Sequence, residues 1–257
     1  MSDAKLAVLT GAAGHIGRAT AEKFGANGWS LVLTDMSDSV VATAEEAAQR
    51  FGITAVGVRA NVADDRSAAE VSAAVEATQI PLRFLGLIAG INHDASPVDQ
   101  FDMEIWDRVM SINLRSNVLM IKHCVPHLRK AGGGAIATTS SWWGRAGHAH
   151  FSAYCVSKAG VIALTQCAAG ELAPSIRVNS VAPGNVRTPM HYDALEVEAS
   201  KRGISREEMQ KIEWAKIPME RPAEPAEIAA AFYFLASPES SYLTGSVLDV
   251  NGGCGFY

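Results

Sequence analysis

Two hydrophobic periodicities alternate along the chain, and this constrains its fold more than any other feature. Short, fully apolar runs are followed by longer stretches whose apolar residues recur at helical spacing. Residues 6–9, 31–33, 55–58, 84–89, 135–139, 177–181 and 246–250 read as strands. Residues 16–27, 40–51, 68–78, 105–130, 152–172 and 227–236 read as helices. Glycine follows the first two of these helices, and Gly132, Gly133 and Gly134 break the fourth. A strand without a polar face must be covered on both sides, and strands joined through helices run in one direction. The pattern therefore predicts an α/β fold with one doubly wound parallel sheet of about seven strands. The alternation pauses over residues 188–225, a charged stretch too long for an ordinary connection. It reads as a short helical lid over about 188–218 on an otherwise single domain spanning 1–257.

Composition narrows the function. Of 257 residues, 22 are Lys or Arg and 27 Asp or Glu, a formal net charge of −5. No basic stripe is available to neutralise phosphates, which argues against nucleic acid or an anionic membrane as partner. The longest apolar run, residues 228–236, is less than half of the roughly 20 residues a membrane span needs. Residues 1–5 carry no basic stretch leading into an apolar one, so a cytoplasmic location is expected. Cys124, Cys155, Cys167 and Cys254 are irregularly spaced and read as reduced thiols.

Between the first strand and first helix lies Thr10-Gly11-Ala12-Ala13-Gly14-His15-Ile16-Gly17. Glycines here let the backbone turn sharply and approach a pyrophosphate, while the helix start supplies N–H donors and the positive end of its dipole. The second strand ends at Asp35, 18 residues beyond Gly17. A carboxylate there accepts from the ribose hydroxyls of an adenosine and repels an added 2′-phosphate. NAD is therefore expected over NADP, with Arg18 and Arg59 the two cations that could offset the repulsion.

Tyr154 and Lys158 stand four residues apart on a predicted helix, on one face and about 6 Å apart along the axis. A phenol is a weak acid–base catalyst at neutral pH, and a fixed cation beside it lowers its pKa toward that range. Ser140 and Ser141 end the preceding strand, where a hydroxyl can hold a substrate oxygen.

Together with Asn113, with Pro183-Gly184-Asn185-Val186-Arg187-Thr188, and with the closing Leu243-Thr244-Gly245 and Val250-Asn251-Gly252-Gly253, these motifs resemble the short-chain dehydrogenase/reductase family over essentially the whole chain. The resemblance implies a Rossmann-type domain and hydride transfer. Tyr154 would be the acid–base, and Lys158 would lower its pKa and bind the nicotinamide ribose. Ser141, which fits the family spacing better than Ser140, would orient the substrate oxygen. Asn113 would hold a water that links Lys158 to solvent. Gly11, Gly14, His15, Ile16, Gly17, Asp35, Asn61, Val62, Ala89 and Gly90 would bind the dinucleotide, together with Tyr154 and Lys158. Pro183, Gly184, Val186 and Thr188 would line its carboxamide. A homodimer or homotetramer is the family expectation.

Three departures from the family pattern stand out. His15 replaces a glycine, so Gly14 is expected to take over the permissive backbone position. Leu87-Ile88 replaces a pair of asparagines before Ala89-Gly90, and Asn61-Val62 replaces Asp-Val. His123 and His127 have metal-binding spacing but no third ligand, so no metal is expected; by resemblance their helix packs on another subunit. Trp142, Trp143, His148, His150, Met190, His191 and Tyr192 are expected to border the substrate cleft, where an aromatic and imidazole-rich wall suits a cyclic or polyhydroxylated alcohol. The expected activity is NAD-dependent interconversion of a secondary alcohol and its ketone. Two rival readings are an NADPH-dependent 3-oxoacyl-carrier-protein reductase and a dinucleotide-sensing protein without turnover.

Overall fold

A computed structural model of the chain describes residues 4–257; Met1, Ser2 and Asp3, part of the segment read above for a leader, lie outside the described residues. Seven strands form one parallel sheet: β1 (Leu6–Thr10), β2 (Ser30–Asp35), β3 (Ala55–Arg59), β4 (Leu82–Leu87), β5 (Gly134–Thr139), β6 (Ile176–Pro183) and β7 (Val247–Val250). Their spatial order is β3-β2-β1-β4-β5-β6-β7. The chain reverses its direction of travel between β1 and β4, and the crevice beyond the carboxyl ends of those strands is where such sheets hold ligands.

The helices divide between the two faces as the apolar strands require. α1 (His15–Gly25), α2 (Ser39–Phe51) and α9 (Pro225–Ala236) cover one face, burying Phe24, Val40 and Phe232 against Leu31 and Phe84. α3 (Asp65–Thr78), α5 (Ser116–Lys130) and α6 (Ser152–Leu172) cover the other, burying Val71, Met120 and Ala168 against Val8, Leu85 and Ile136. Both clusters consist largely of side chains with almost no exposed surface, and their burial is the main favourable contribution to the fold.

The structure divides the single helix expected over residues 105–130. α4 (Met103–Met110) passes into a π-helical turn at Ser111–Arg115 before α5 begins. The lid stretch is two helices, α7 (Pro189–Arg202) and α8 (Arg206–Trp214), which share a small core of Leu195, Ala199 and Met209. Among the described residues no helix is long and apolar enough to cross a membrane.

Candidate active site

The turn after β1 is shaped by contacts that only glycine permits. Gly11 has φ +65°, and a Cβ on it would sit 2.8 Å from the Ala89 Cα. A Cβ on Gly17 would lie 2.1 Å from the Gly11 carbonyl oxygen, so α1 could not start where it does. Gly14 is different. Its φ is −76°, an extended N-cap conformation open to any residue, so it does not take over a permissive position as expected. His15, the exposed first residue of α1, lies in the right-handed helix and needs no glycine there. No side chain caps the helix start. Its free N–H groups border a cleft of about 430 Å³ lined by Gly11, Gly14, His15, Ile16 and Gly17.

Asp35, at the end of β2, lines the same cleft. Its carboxylate accepts from the Ala13 amide at 3.0 Å and the Ser37 amide at 2.9 Å, which fixes both oxygens. Arg59 is drawn away, pairing with Asp38 at 3.1 Å and donating to the Met36 carbonyl at 3.2 Å. Arg18 donates to the Ala13 carbonyl at 2.9 Å, and neither arginine lines the cleft. Asn61 and Val62 do line it; the Asn61 side-chain oxygen accepts from the Ala63 amide at 3.1 Å.

The loop after β4 lacks the expected asparagine pair, and two other residues hold it. Thr10 Oγ1 accepts from the amides of Ile88 and Ala89 at 3.0 and 3.1 Å. Asn113 grips Ile91 at both ends, accepting from its amide at 2.8 Å and donating to its carbonyl at 2.9 Å. Asn113 also donates to the Ser157 hydroxyl at 3.1 Å, which ties the π-turn to α6. The Asn113 carbonyl accepts from the Asn117 amide at 3.0 Å.

Continuous with the cleft through Ile16, Gly90 and Thr188 is a second hollow of about 200 Å³. Ser141, Tyr154, Lys158, Pro183, Gly184, Asn185 and Val186 line it. Both serines border the hollow, but their hydroxyls diverge: Ser140 Oγ donates to the Lys158 carbonyl at 2.8 Å, whereas Ser141 Oγ accepts from the Trp143 amide at 3.2 Å. Lys158 is buried; its ammonium donates to the Thr139 carbonyl at 2.9 Å and lies 5.7 Å from the Tyr154 ring centroid.

The electrostatics differ from the simple expectation of a cation lowering a phenol pKa. Burial dominates at Tyr154 and pushes its pKa up, while the Ser141 hydrogen bond pulls it down. Burial also pushes the Lys158 pKa down to about 8. In the chain alone, then, burial biases both groups toward their neutral forms.

The aromatic wall divides into lining and backing residues. Trp142, Trp143, Met190 and His191 line the hollow. His148 stands behind, stacked on Trp143 with centroids 4.2 Å apart, and its backbone amide donates to Cys155 Sγ at 3.4 Å. His150 is exposed with φ +69°, and Tyr192 packs into the small core of α7 and α8. His123 pairs with Asp65 at 3.0 Å, and His127 contacts Ser72 at 2.8 Å and Glu76 at 3.3 Å. Both histidines therefore join α5 to α3 within this chain, and no metal-binding cluster occurs among the described residues. The sequence reading missed Asn92 and Ala194 in the hollow and Met36, Arg108 and Ile112 in the cleft. Asn92 carried one signal, its position two residues beyond Gly90.

Uncapped amides at one end of this continuous cleft, a fixed carboxylate beside them and a buried lysine with a phenol at the other end define a dinucleotide-binding oxidoreductase site. A family model described as enoyl-(acyl carrier protein) reductase matches residues 11–255. A cis-4-hydroxycyclohexanecarboxylate dehydrogenase of Sinomonas cyclohexanicum is 37% identical over 97% of this chain and 96% of its own. An NAD+-bound xylitol dehydrogenase superposes with a TM-score of 0.90 at 30% identity over 97% of this chain and 98% of its own. A variant actinorhodin polyketide ketoreductase with NADPH does so with a TM-score of 0.93 at 28% identity, over 99% and 98%. The chain belongs to the short-chain dehydrogenase/reductase family, and its cofactor is a nicotinamide dinucleotide.

Proposed function

We propose that the protein oxidises a secondary alcohol to its ketone, reversibly, with NAD as the cofactor. The observation that carries the reading is the meeting of Ser141, Tyr154 and Lys158 in one hollow, with the lysine ammonium anchored by the Thr139 carbonyl 5.7 Å from the phenol ring centroid. The bound nicotinamide supplies the hydride acceptor or donor. Ser141 orients the substrate oxygen. Tyr154 Oη takes the hydroxyl proton during oxidation and returns it to the ketone oxygen during reduction. Lys158, held by the Thr139 carbonyl, stabilises the phenolate as it forms. Asn113 serves mainly as a brace, fixing Ile91 and Ser157 on either side of the catalytic helix. Gly11 and Gly17 keep the turn open to the pyrophosphate, and Pro183, Gly184, Val186 and Thr188 frame the carboxamide end.

Asp35 supports NAD over NADP. Its carboxylate is fixed at the cleft, and Arg18 and Arg59 are engaged elsewhere, so that Arg108 is the arginine that lines the cleft with it. Residues 4–257 act as one dinucleotide-binding unit, with α7 and α8 as its lid. Exposed Ile105, Val118 and Val156 on α4, α5 and α6 favour a homo-oligomer.

The test is titration with NADH and NADPH, followed by an NAD+ screen of secondary alcohols, polyols and sugars. Tight NADH binding and turnover of one alcohol class is the expected result. Tyr154→Phe should lower kcat at least about 100-fold while NADH still binds. NADPH preference would instead favour reduction of acyl-carrier-bound ketones, the activity in the name of a related 3-oxoacyl-[acyl-carrier-protein] reductase. A protein that binds NADH but turns over nothing would be a dinucleotide sensor.

A further inference from the structure

His191 stands at the start of the lid and lines the hollow that holds Ser141 and Tyr154. Its Nε2 lies 3.3 Å from the indole Nε1 of Trp214, the last residue of α8. An indole nitrogen only donates, so the His191 Nε2 must offer its lone pair. In a neutral imidazole the proton is then on Nδ1. Burial holds the His191 pKa below its usual value, which keeps the ring neutral at pH 7. Among the described residues Nδ1 has no hydrogen-bond partner. Trp214 thus fixes His191 as a donor to whatever occupies the hollow, at a point separate from the Ser141–Tyr154 pair.

Two other residues that line the hollow, Trp143 and Asn92, each carry a buried polar atom without a hydrogen-bond partner, the indole N–H and the side-chain oxygen. Apart from His191, the only ionisable groups in the lining are Lys158 and Tyr154, and both belong to the reaction centre. A neutral hydroxyl can accept from a donor and donate to an acceptor. A carboxylate can only accept, and among the described lining residues it would find no cation outside the reaction centre. Beside His191 the wall presents the apolar Trp142, Met190 and Ala194, the indole giving it a flat face.

We infer that the substrate is a compact, ring-shaped secondary alcohol bearing a second, uncharged oxygen, and that His191 selects it by donating from Nδ1 to that oxygen. This inference rests on the alcohol–ketone reading above and adds the substrate class and its selecting residue. Trp214 is a positioning residue that sets the tautomer.

The experiment compares kcat/KM for 1,4-cyclohexanediol, cyclohexanol and 4-hydroxycyclohexanecarboxylate with wild type, His191→Phe, His191→Asn and Trp214→Phe. The wild type should prefer the diol over cyclohexanol by about tenfold, as one hydrogen bond allows, and over the carboxylate by more. His191→Phe should bring the diol-to-cyclohexanol ratio to about one. His191→Asn, whose amide nitrogen can stand near the Nδ1 position, should restore part of it. In ¹⁵N NMR spectra the wild-type His191 should show the Nδ1–H form, and Trp214→Phe should mix the tautomers and lower the ratio. Binding of 1,4-cyclohexanedione and cyclohexanone to the enzyme–NADH complex is followed in parallel, so discrimination can be read even without turnover. If no alcohol is oxidised but the dione binds preferentially through His191, the reaction reading fails, while selection of a second oxygen by His191 stands. A wild-type preference for the carboxylate, a ratio unmoved by His191→Phe, or an Nε2–H tautomer would overturn the inference alone.

Discussion

Replacing Asp35 by asparagine removes one negative charge from the cleft and leaves the shape of the side chain almost unchanged. The asparagine oxygen can still accept from one of the two backbone amides, Ala13 or Ser37, that now hold the carboxylate. Losing the other bond costs some stability, but that loss falls on both cofactors alike and cancels from their ratio. Two contributions remain. Taking about 5 Å between the carboxylate and a 2′-phosphate, and a water-like dielectric constant of about 80, each unit charge is repelled by about 0.8 kcal/mol, or roughly 1.6 kcal/mol for a dianion. Exchanging a charged acceptor for a neutral one weakens ribose hydroxyl binding in NAD by about 1 kcal/mol. Together these give about 2.5 kcal/mol, a shift of roughly 70-fold in relative affinity toward NADPH. Fluorescence titration of NADH and NADPH against both proteins measures it. Higher ionic strength should shrink the electrostatic part in the wild type and leave the variant nearly unaffected. A shift of less than about threefold would show that Asp35 does not face the adenosine ribose, and the NAD assignment would lose its main support.

Other expectations follow from single contacts. Gly17→Ala should destabilise the fold by at least about 2 kcal/mol and weaken NADH binding more than tenfold, because its methyl would meet the Gly11 carbonyl at 2.1 Å; denaturant melts and titration read both effects. His15→Gly should change NADH affinity less than tenfold, since His15 is exposed and is held by no side-chain bond among the described residues. Lys158 sets a pH signature. Its folded pKa of about 8 lies below the ordinary lysine value of 10.5, so the unfolded chain binds the extra proton between them and stability rises with pH across that window, by on the order of 3 kcal/mol. Burial pushes the Cys124 thiol up to about 12 and opposes this above pH 9, so the difference between wild type and Lys158→Met in pH-dependent urea melts isolates the lysine. With a thiol reagent on the native protein, exposed Cys167 should react first and Cys124 only on unfolding.

The parts of the fold legible in the sequence were those set by local pattern. Apolar runs such as residues 31–33 and 135–139 had to be strands of a covered sheet, and the glycine spacing after β1 had to be a tight strand-to-helix turn. Gly11 and Gly17 could be read because their constraint is steric and short-range. Features that depend on distant contacts were not legible. The π-turn at Ser111–Arg115 leaves no mark on helical periodicity, because its reason is the grip of Asn113 on Ile91 and Ser157. The replacement of the asparagine pair before Ala89 by bonds to Thr10 is invisible for the same reason: its two halves are 78 and 79 residues apart. Of the residues expected in the wall, Trp142, Trp143, Met190 and His191 line the hollow and His148, His150 and Tyr192 do not; sequence could not separate Trp143 from His148, which stacks on it.

Those long-range contacts explain how a site with its polar groups biased to neutrality can still carry proton transfer. Lys158 is buried at a cost that lowers its pKa, and among the described residues no carboxylate pairs with it; its polar partner is the Thr139 carbonyl. A carboxylate there would secure the charge but would also compete with the phenolate for it. A carbonyl dipole holds the ammonium in position without neutralising it. In the proposed reaction the full charge is then available to Tyr154 when the phenol gives up its proton. The fold contributes rigidity around this pair: Ser140 fastens the Lys158 carbonyl to the end of β5, and Asn113 and Ser157 fasten the preceding turn of α6 to the loop after β4. Loosening either brace should therefore appear in kcat more than in KM, because what each secures is the alignment of Tyr154 and Lys158 rather than the grip on substrate. Asn113→Ala tests the second brace by steady-state kinetics, and an effect confined to KM would refute it.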